Sequence, residues 1–169
     1  GWPVYQRLTE GLASKGVVFT SLEAALRDCP DLVREYLMGA AVPPAEGKFA
    51  ALSGALWSGG TLVHVPPGVQ VDVPLYALVW AGGPGAGLFP RTVIVAEAGS
   101  SVVVVEEYVS PDSERQGLAC PVVEVYAQDG ARVRYAAVSR WGNGTYVFST
   151  QRALVERNAL VETLAVSLG

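Results

Sequence analysis

Apolar residues change their spacing partway along the chain. In residues 1–47 they recur at helical intervals. Pro3 opens a short amphipathic helix carrying Val4, Leu8 and Leu12. Lys15 and Gly16 close it, a cation and a residue that accepts a left-handed conformation, both suited to a helix C-terminus. After the apolar run Val17 to Phe19, Thr20 with Glu23 three residues on reads as a capping box. Leu22, Ala25 and Leu26 mark the inward face of the helix it starts. Pro30 has no amide hydrogen to donate and so fits the first turn of another helix, with Leu32, Val33, Tyr36 and Leu37 apolar and Gly39 as the stop. Residues 40–47, with Pro43-Pro44, form a linker.

From Phe49 onward the pattern becomes strand and turn. Val69, Val71, Val73 and Leu75 alternate with period two after the turn Pro66-Pro67-Gly68. Gly82 to Gly87 reads as a flexible loop, Thr92 to Ala96 as a strand, and Val102 to Val105 as an unbroken apolar strand covered on both faces or meeting another element. The segments around Gly99 and Gly130 then align: Val93-Ile94-Val95-Ala96-Glu97-Ala98-Gly99 matches Glu124-Val125-Tyr126-Ala127-Gln128-Asp129-Gly130. Gly68, Gly99 and Gly130 are spaced by 31 residues, and Asn158, the other residue type that accepts positive φ, occupies a looser third match. Short valine-rich strands between turns at near-constant spacing predict stacked coils, a parallel β-helix over residues 48–169. The competing architecture, a β-sandwich, needs turn signals about every 8–12 residues, whereas this unit holds two or three strands.

Composition narrows the function classes. Half the 169 residues are apolar and 17% are charged, enough for a core without metals or disulfides. A net charge of -4 argues against neutralising nucleic acid or anionic lipid. No apolar run reaches the roughly 18 residues of a membrane span, and the reading is of a soluble protein. Cys29 and Cys120 are the only cysteines, in no C-x-x-C pair, so the chain alone cannot give four thiolates to an iron–sulfur cluster or a zinc ion. They read as quiet thiols in or near the core of a protein from a reducing compartment.

No set of side chains at motif spacing makes a catalytic, cofactor or metal site. His64, the sole histidine, faces away from Val63 and Val65, without a dyad partner at motif spacing. Glu106 and Glu107 point to opposite faces of one strand; Glu106 could approach Glu124 from the next coil, although solvated strand ends are the plainer reading. Gly82 to Gly87 lacks the Lys-Ser/Thr ending of a phosphate loop. Arg132, Arg134 and Arg140 share one face and read as a solvated face, or a clamp for an anion or an acidic partner.

The chain as a whole resembles the SufB/SufD components of the SUF iron–sulfur cluster assembly system. The resembling blocks are Lys15-Gly-Val-Val-Phe-Thr, Pro30-Asp-Leu-Val-Arg-Glu-Tyr, Trp57-Ser-Gly-Gly-Thr-Leu-Val-His-Val-Pro-Pro-Gly-Val, Phe89-Pro-Arg-Thr-Val-Ile-Val-Ala-Glu-Ala-Gly-Ser and Gln151-Arg-Ala-Leu. The resemblance implies a right-handed parallel β-helix behind a small α-helical N-terminal part. It also implies a scaffold that is not itself an enzyme, working in the cytoplasm with a SufB-like paralogue and the ABC-type ATPase SufC. The iron–sulfur cluster and ATP would be handled by that complex, with no cofactor bound by this chain alone.

Within the family the chain resembles SufD more closely. SufB-type chains carry a cysteine thought to receive sulfur where this chain has Tyr108, and often another where it has Val155, and their loop after the residue matching Trp141 is longer. A phenol and an isopropyl group cannot accept sulfane sulfur as a thiolate does. The resemblance also implies further coils and a SufC-docking helical part after Gly169, so the expectation is an N-terminal fragment cut mid-solenoid, without the SufC site. The open end of a cut coil would let two copies pair as a homodimer. The alternatives are a polysaccharide-active β-helix enzyme, for which Asp72 is the main strand-borne aspartate, and a plain structural solenoid.

Overall fold

A computed structural model describes residues 7–57, 59–83 and 85–168. Its strands stack as successive turns of a parallel solenoid with three faces. The first face contains β1 (Val18–Ser21), β2 (Gly60–Val65), β5 (Arg91–Ala96), β8 (Val122–Ala127) and β11 (Thr150–Val155). The second contains β3 (Leu75–Trp80), β6 (Ser101–Val109), β9 (Arg132–Arg140) and β12 (Leu160–Ser167). The narrow third face contains β4 (Gly87–Leu88), β7 (Gly117–Ala119) and β10 (Thr145–Val147). Every strand ladder is parallel except that of β1 on β2. That excludes the sandwich alternative, whose sheets are antiparallel.

The sequence repeat is the ladder register. Arg91 pairs with Val122 and Ser101 with Arg132, each 31 residues on. Gly68, Gly99, Gly130 and Asn158 all have φ between 57° and 70°, and they stack: the Gly68 amide donates to Ala98, that of Gly99 to Asp129 and that of Gly130 to Arg157, each at 2.9 Å. The last coil is three residues shorter, since Thr150 pairs with Val122. The deletion lies between β9 and β10, where Gly142 and Gly144 pass so close to the loop below that an added Cβ would lie 2.2 Å from the Pro111 oxygen or 2.3 Å from that of Ser113.

Alternation along each strand makes an inside and an outside. Val63, Val65, Ile94, Val104, Val125 and Val133 fill the lumen. On the outside of the first face, Leu62, Val93 and Val95 lie under Leu22 and Ala25 of α2 (Leu22–Asp28) and Val33 of α3 (Pro30–Tyr36). Consequently β5 is buried at all six positions, the double cover expected of Val102 to Val105. That run, in β6, instead alternates buried and half-buried residues, since among the described residues the helices pack on the first face.

At the N-terminal end, α1 (Glu10–Ala13) places Leu12 on the luminal core beside Val17, and Gly16 takes φ 79° as expected; Pro3 and Val4 lie outside the described residues. Several local expectations shift. Ser21, not Thr20, caps α2 by accepting from the Ala24 amide at 3.2 Å, because the helix begins at Leu22, directly after it. Leu26 is exposed, since α2 meets the sheet only along Leu22 and Ala25. Helix α3 stops before Gly39, with Met38 at φ 56°. The linker contains a 3-10 turn, Pro44–Glu46, and Lys48–Ala55 is a helix, α4, and not the strand that the sequence pattern predicts from Phe49. Its alanine-rich sequence has no period of two. Val69 and Val71 point inward, but Val73 is exposed at the corner made by Pro74, and β3 begins only at Leu75.

Gly99 has open space where a Cβ would go, so Gly99→Ala isolates the conformational cost of its positive φ. Urea unfolding should show a loss of about 1–2 kcal/mol, while Asn158→Gly should change stability little.

Candidate functional site

The parity that sends Val102 and Val104 into the lumen sends Glu106 and Tyr108 there too. Thr92 from β5 and Tyr135 from β9 meet them. Glu106 is fully buried and accepts three hydroxyl donors: Thr92 Oγ1 at 2.7 Å, Tyr108 OH at 2.8 Å and Tyr135 OH at 2.8 Å. Burial raises the Glu106 carboxyl above its usual range, against the pull of the three hydrogen bonds. Burial, then the neighbouring carboxylate, raises both phenols. The phenols are therefore donors and not phenolate nucleophiles at neutral pH. The Tyr108 ring stacks on Trp141 with centroids 5.5 Å apart. Beside them Ser139, Gln151 and Val123 bound a cavity of about 50 Å³.

A second buried polar group lies outside the same wall. Arg91 Nη1 donates to Glu124 Oε1 at 2.6 Å, and neither side chain reaches solvent. Burial outweighs their mutual attraction, lowering the guanidinium and raising the carboxyl. The pair grips the chain after α3: the Met38 amide donates to Glu124 at 3.2 Å and Arg91 Nη2 donates to the Val42 carbonyl at 3.3 Å. Tyr126 OH donates to the Tyr36 carbonyl at 2.9 Å and accepts from the Ala41 amide at 3.3 Å. Together they bind the helical cover to the solenoid, which accounts for the left-handed backbone at Met38.

Glu106 and Glu124 do not form a carboxylate pair, nor are they solvated strand ends. Both are fully buried, on opposite sides of the wall with separate partners. Glu107 points outward as expected and binds Tyr76 OH and Arg140. His64 lies 2.7 Å from Glu97 on the outer side of β2. Arg132, Arg134 and Arg140 share the outer face of β9, with Arg134 on Glu162 and Arg140 on Glu107. Cys120 is buried and Cys29 partly so, and burial raises both thiols. Val155 is exposed on β11, Asp72 is exposed before β3, and Gly87 begins β4. Among the described residues no three His, Cys, Asp or Glu side chains are grouped to hold a metal ion, and no helix is long and apolar enough to cross a membrane.

Thr92, Tyr135, Arg91 and Tyr126 were not singled out from sequence. The repeat carried a signal for one of them: Tyr135 lies one coil beyond Val104, a luminal position. For Arg91 there was none, since the burial of β5 on both faces comes from the helices packed over it.

The architecture defines a class, a parallel β-solenoid sealed along one face by N-terminal helices. Residues 79–169 match the family described as "SUF system FeS cluster assembly, SufBD core domain", and residues 3–76 match "SufBD protein N-terminal region". The chain belongs to the SufBD family. It is 38% identical over 166 residues to an iron–sulfur cluster assembly SufBD family protein of Staphylococcus epidermidis and 36% identical to the iron–sulfur cluster assembly protein SufB of Bacillus subtilis. Each match covers 98% of this chain and 36% of the relative, so the chain spans about a third of their length.

Below the ordinary carboxyl value of 4.5 Glu106 is protonated in both folded and unfolded chains. Above it the unfolded chain releases the proton first and the folded chain only at its raised value, so this residue's contribution to stability falls as pH rises from the ordinary value toward the raised one. Glu106→Gln should make that fall shallower in urea titrations run from pH 4.5 upward; an unchanged slope would contradict the buried protonation. Arg91→Met should cost about 3–5 kcal/mol by leaving Glu124 buried alone, and adding Glu124→Leu should recover much of the loss.

Proposed function

We propose that this chain forms the first coils of a SufD-like scaffold subunit in iron–sulfur cluster assembly. It has no catalytic role of its own and acts in the cytoplasm with a SufB-like paralogue and a SufC-like ABC ATPase. The cluster is cargo of that complex, and ATP belongs to the ATPase.

Family membership supports the assembly role. The observation that favours SufD over SufB is Tyr108. At the position where SufB-type chains carry a sulfur-receiving cysteine, this chain holds a phenol inside the lumen, donating to Glu106 and stacked on Trp141. A protonated phenol cannot take up sulfane sulfur, and the two thiols present are buried or partly buried with raised pKa values, which disfavours the reactive thiolate. The short Gly142-Asn143-Gly144 connection, which removes three residues from the last coil, supports the same assignment.

Co-expression of the full-length protein with SufB-like and SufC-like partners should recover a three-component complex. In that complex, sulfur supplied by a cysteine desulfurase should label the SufB-like chain and leave Cys29 and Cys120 unlabelled. Labelling of either would overturn the SufD-like assignment; recovery without the partners would overturn the scaffold role.

A further inference from the structure

Tyr108 joins two kinds of contact in the lumen. Its hydroxyl donates to Glu106 Oε2 at 2.8 Å, and its ring stacks on Trp141 with the planes inclined by 26°. The first is a path for a proton and the second a path for an electron. Tyr108 is 3% exposed and Glu106 fully buried, so bulk water competes for neither.

An ionised Glu106 is a charge in a low-dielectric interior, and its three hydroxyl donors offset only part of the cost of burying it. That makes the carboxylate a stronger base than one in water. Removing one electron from a phenol makes its proton strongly acidic, and the hydrogen bond hands that proton to the carboxylate. The site then contains a carboxylic acid and a neutral phenoxyl radical. The buried charge is gone, so oxidation is favoured here over that of a phenol in water.

Trp141 gives the step a direction. Among the described residues its Nε1 has no hydrogen-bond partner and is closed to solvent. An oxidised indole therefore keeps its proton and stays a radical cation, a stronger oxidant than the deprotonated ring. The oxidising equivalent passes on to Tyr108, where the proton has an acceptor. The ring of Trp141 is partly exposed and lines a cleft of the third face with Gly83, Gly85, Ser110 and Arg115. Three other phenols each lack a part of this arrangement. Tyr135 also donates to Glu106, but among the described residues it stacks on no aromatic ring. Tyr126 donates to a carbonyl, which cannot hold a proton, and Glu124 beside it is held by Arg91. Tyr76 meets Glu107, but it is exposed and that carboxylate is shared with Arg140.

We propose that Tyr108 is a one-electron redox site, oxidised through Trp141 to a neutral phenoxyl radical while its proton passes to Glu106. First, an outer-sphere one-electron oxidant is reduced and Trp141 becomes a radical cation. Trp141 then regains an electron from Tyr108, whose O–H bond breaks as an O–H bond forms at Glu106 Oε2. No atom leaves the protein, and one electron from a reductant returns the proton to Tyr108. The sequence needs Glu106 ionised, so the radical yield rises with pH as Glu106 passes through its raised value. Thr92, Tyr108 and Tyr135 face this carboxylate from β5, β6 and β9, and burial holds both phenols protonated beyond their ordinary range.

Flash-quench oxidation of the protein with photogenerated tris(bipyridine)ruthenium(III), followed by EPR and transient absorption, should give a tyrosyl signal that outlasts those of exposed tyrosines. Its yield should rise with pH. Tyr108→Phe should lose the long-lived signal, Trp141→Phe should slow its appearance, and Glu106→Gln should remove both the signal and its pH dependence. Tyr76→Phe, which removes an exposed phenol that also meets a carboxylate, should leave it unchanged. Trp141→Phe keeps an aromatic ring on Tyr108 and leaves the acid cluster intact, so it tests the electron path even if Tyr108→Phe does not fold. The proposal would be overturned by a parent without a long-lived tyrosyl signal, or by a signal that survives Tyr108→Phe or disappears in Tyr76→Phe. A rise unchanged in Trp141→Phe, or a yield independent of pH, would overturn it equally.

Discussion

The parallel ladder between successive coils is the constraint from which the other features follow. Once Arg91 is set beside Val122 and Ser101 beside Arg132, the inward or outward direction of every side chain in those strands is settled, because strand side chains alternate. A slip of one residue would turn Val102, Val104, Glu106 and Tyr108 to the outside together. The stacked turns at Gly68, Gly99, Gly130 and Asn158 hold that register by repeating one left-handed residue at each corner, and the amides of the three glycines bond directly to the corner of the next coil.

Two buried polar groups sit on opposite sides of the same wall and do different work. In the lumen, Glu106 gathers hydroxyls from three strands, β5, β6 and β9. An acid buried in an otherwise apolar interior costs stability unless hydrogen-bonded, and here each donor comes from a position that the ladder fixes. Outside the wall, Arg91 and Glu124 bind the segment after α3, connecting the helical cover to the second and third coils. A buried ion pair is weak evidence for stability. Its contribution here is alignment: the pair offers ligands to the Met38 amide and the Val42 carbonyl that apolar residues could not.

The repeat, the turn residues and the strand character were legible because each depends on local periodicity. Gly99 and Gly130 align along the sequence, and their common φ follows from residue type. The N-terminal helices were legible in part, through Pro30 and the apolar face at Leu22 and Ala25. Lys48–Ala55 carries no legible helix signal because the helix is short and its apolar positions have no clear period. The site was less legible still. Glu106 resembled a solvated strand end, since nothing near it in sequence announces Thr92 or Tyr135, which lie 14 and 29 residues away. Glu124 resembled its neighbour in the next coil, and only the helical cover distinguishes the two.

By itself, then, the sequence determined the solenoid, its coil length, the chirality-tolerant corners and the family, all of which are written in spacing and residue type. The tertiary structure decided which acidic residues are buried, what holds the helical cover in place, and which face of the solenoid that cover lies on. Those depend on contacts between residues from separate coils and on which face a helix happens to cover. Spacing along the chain carries no record of the second of these, because the helices that seal the first face are joined to the solenoid by a linker whose path only packing can choose.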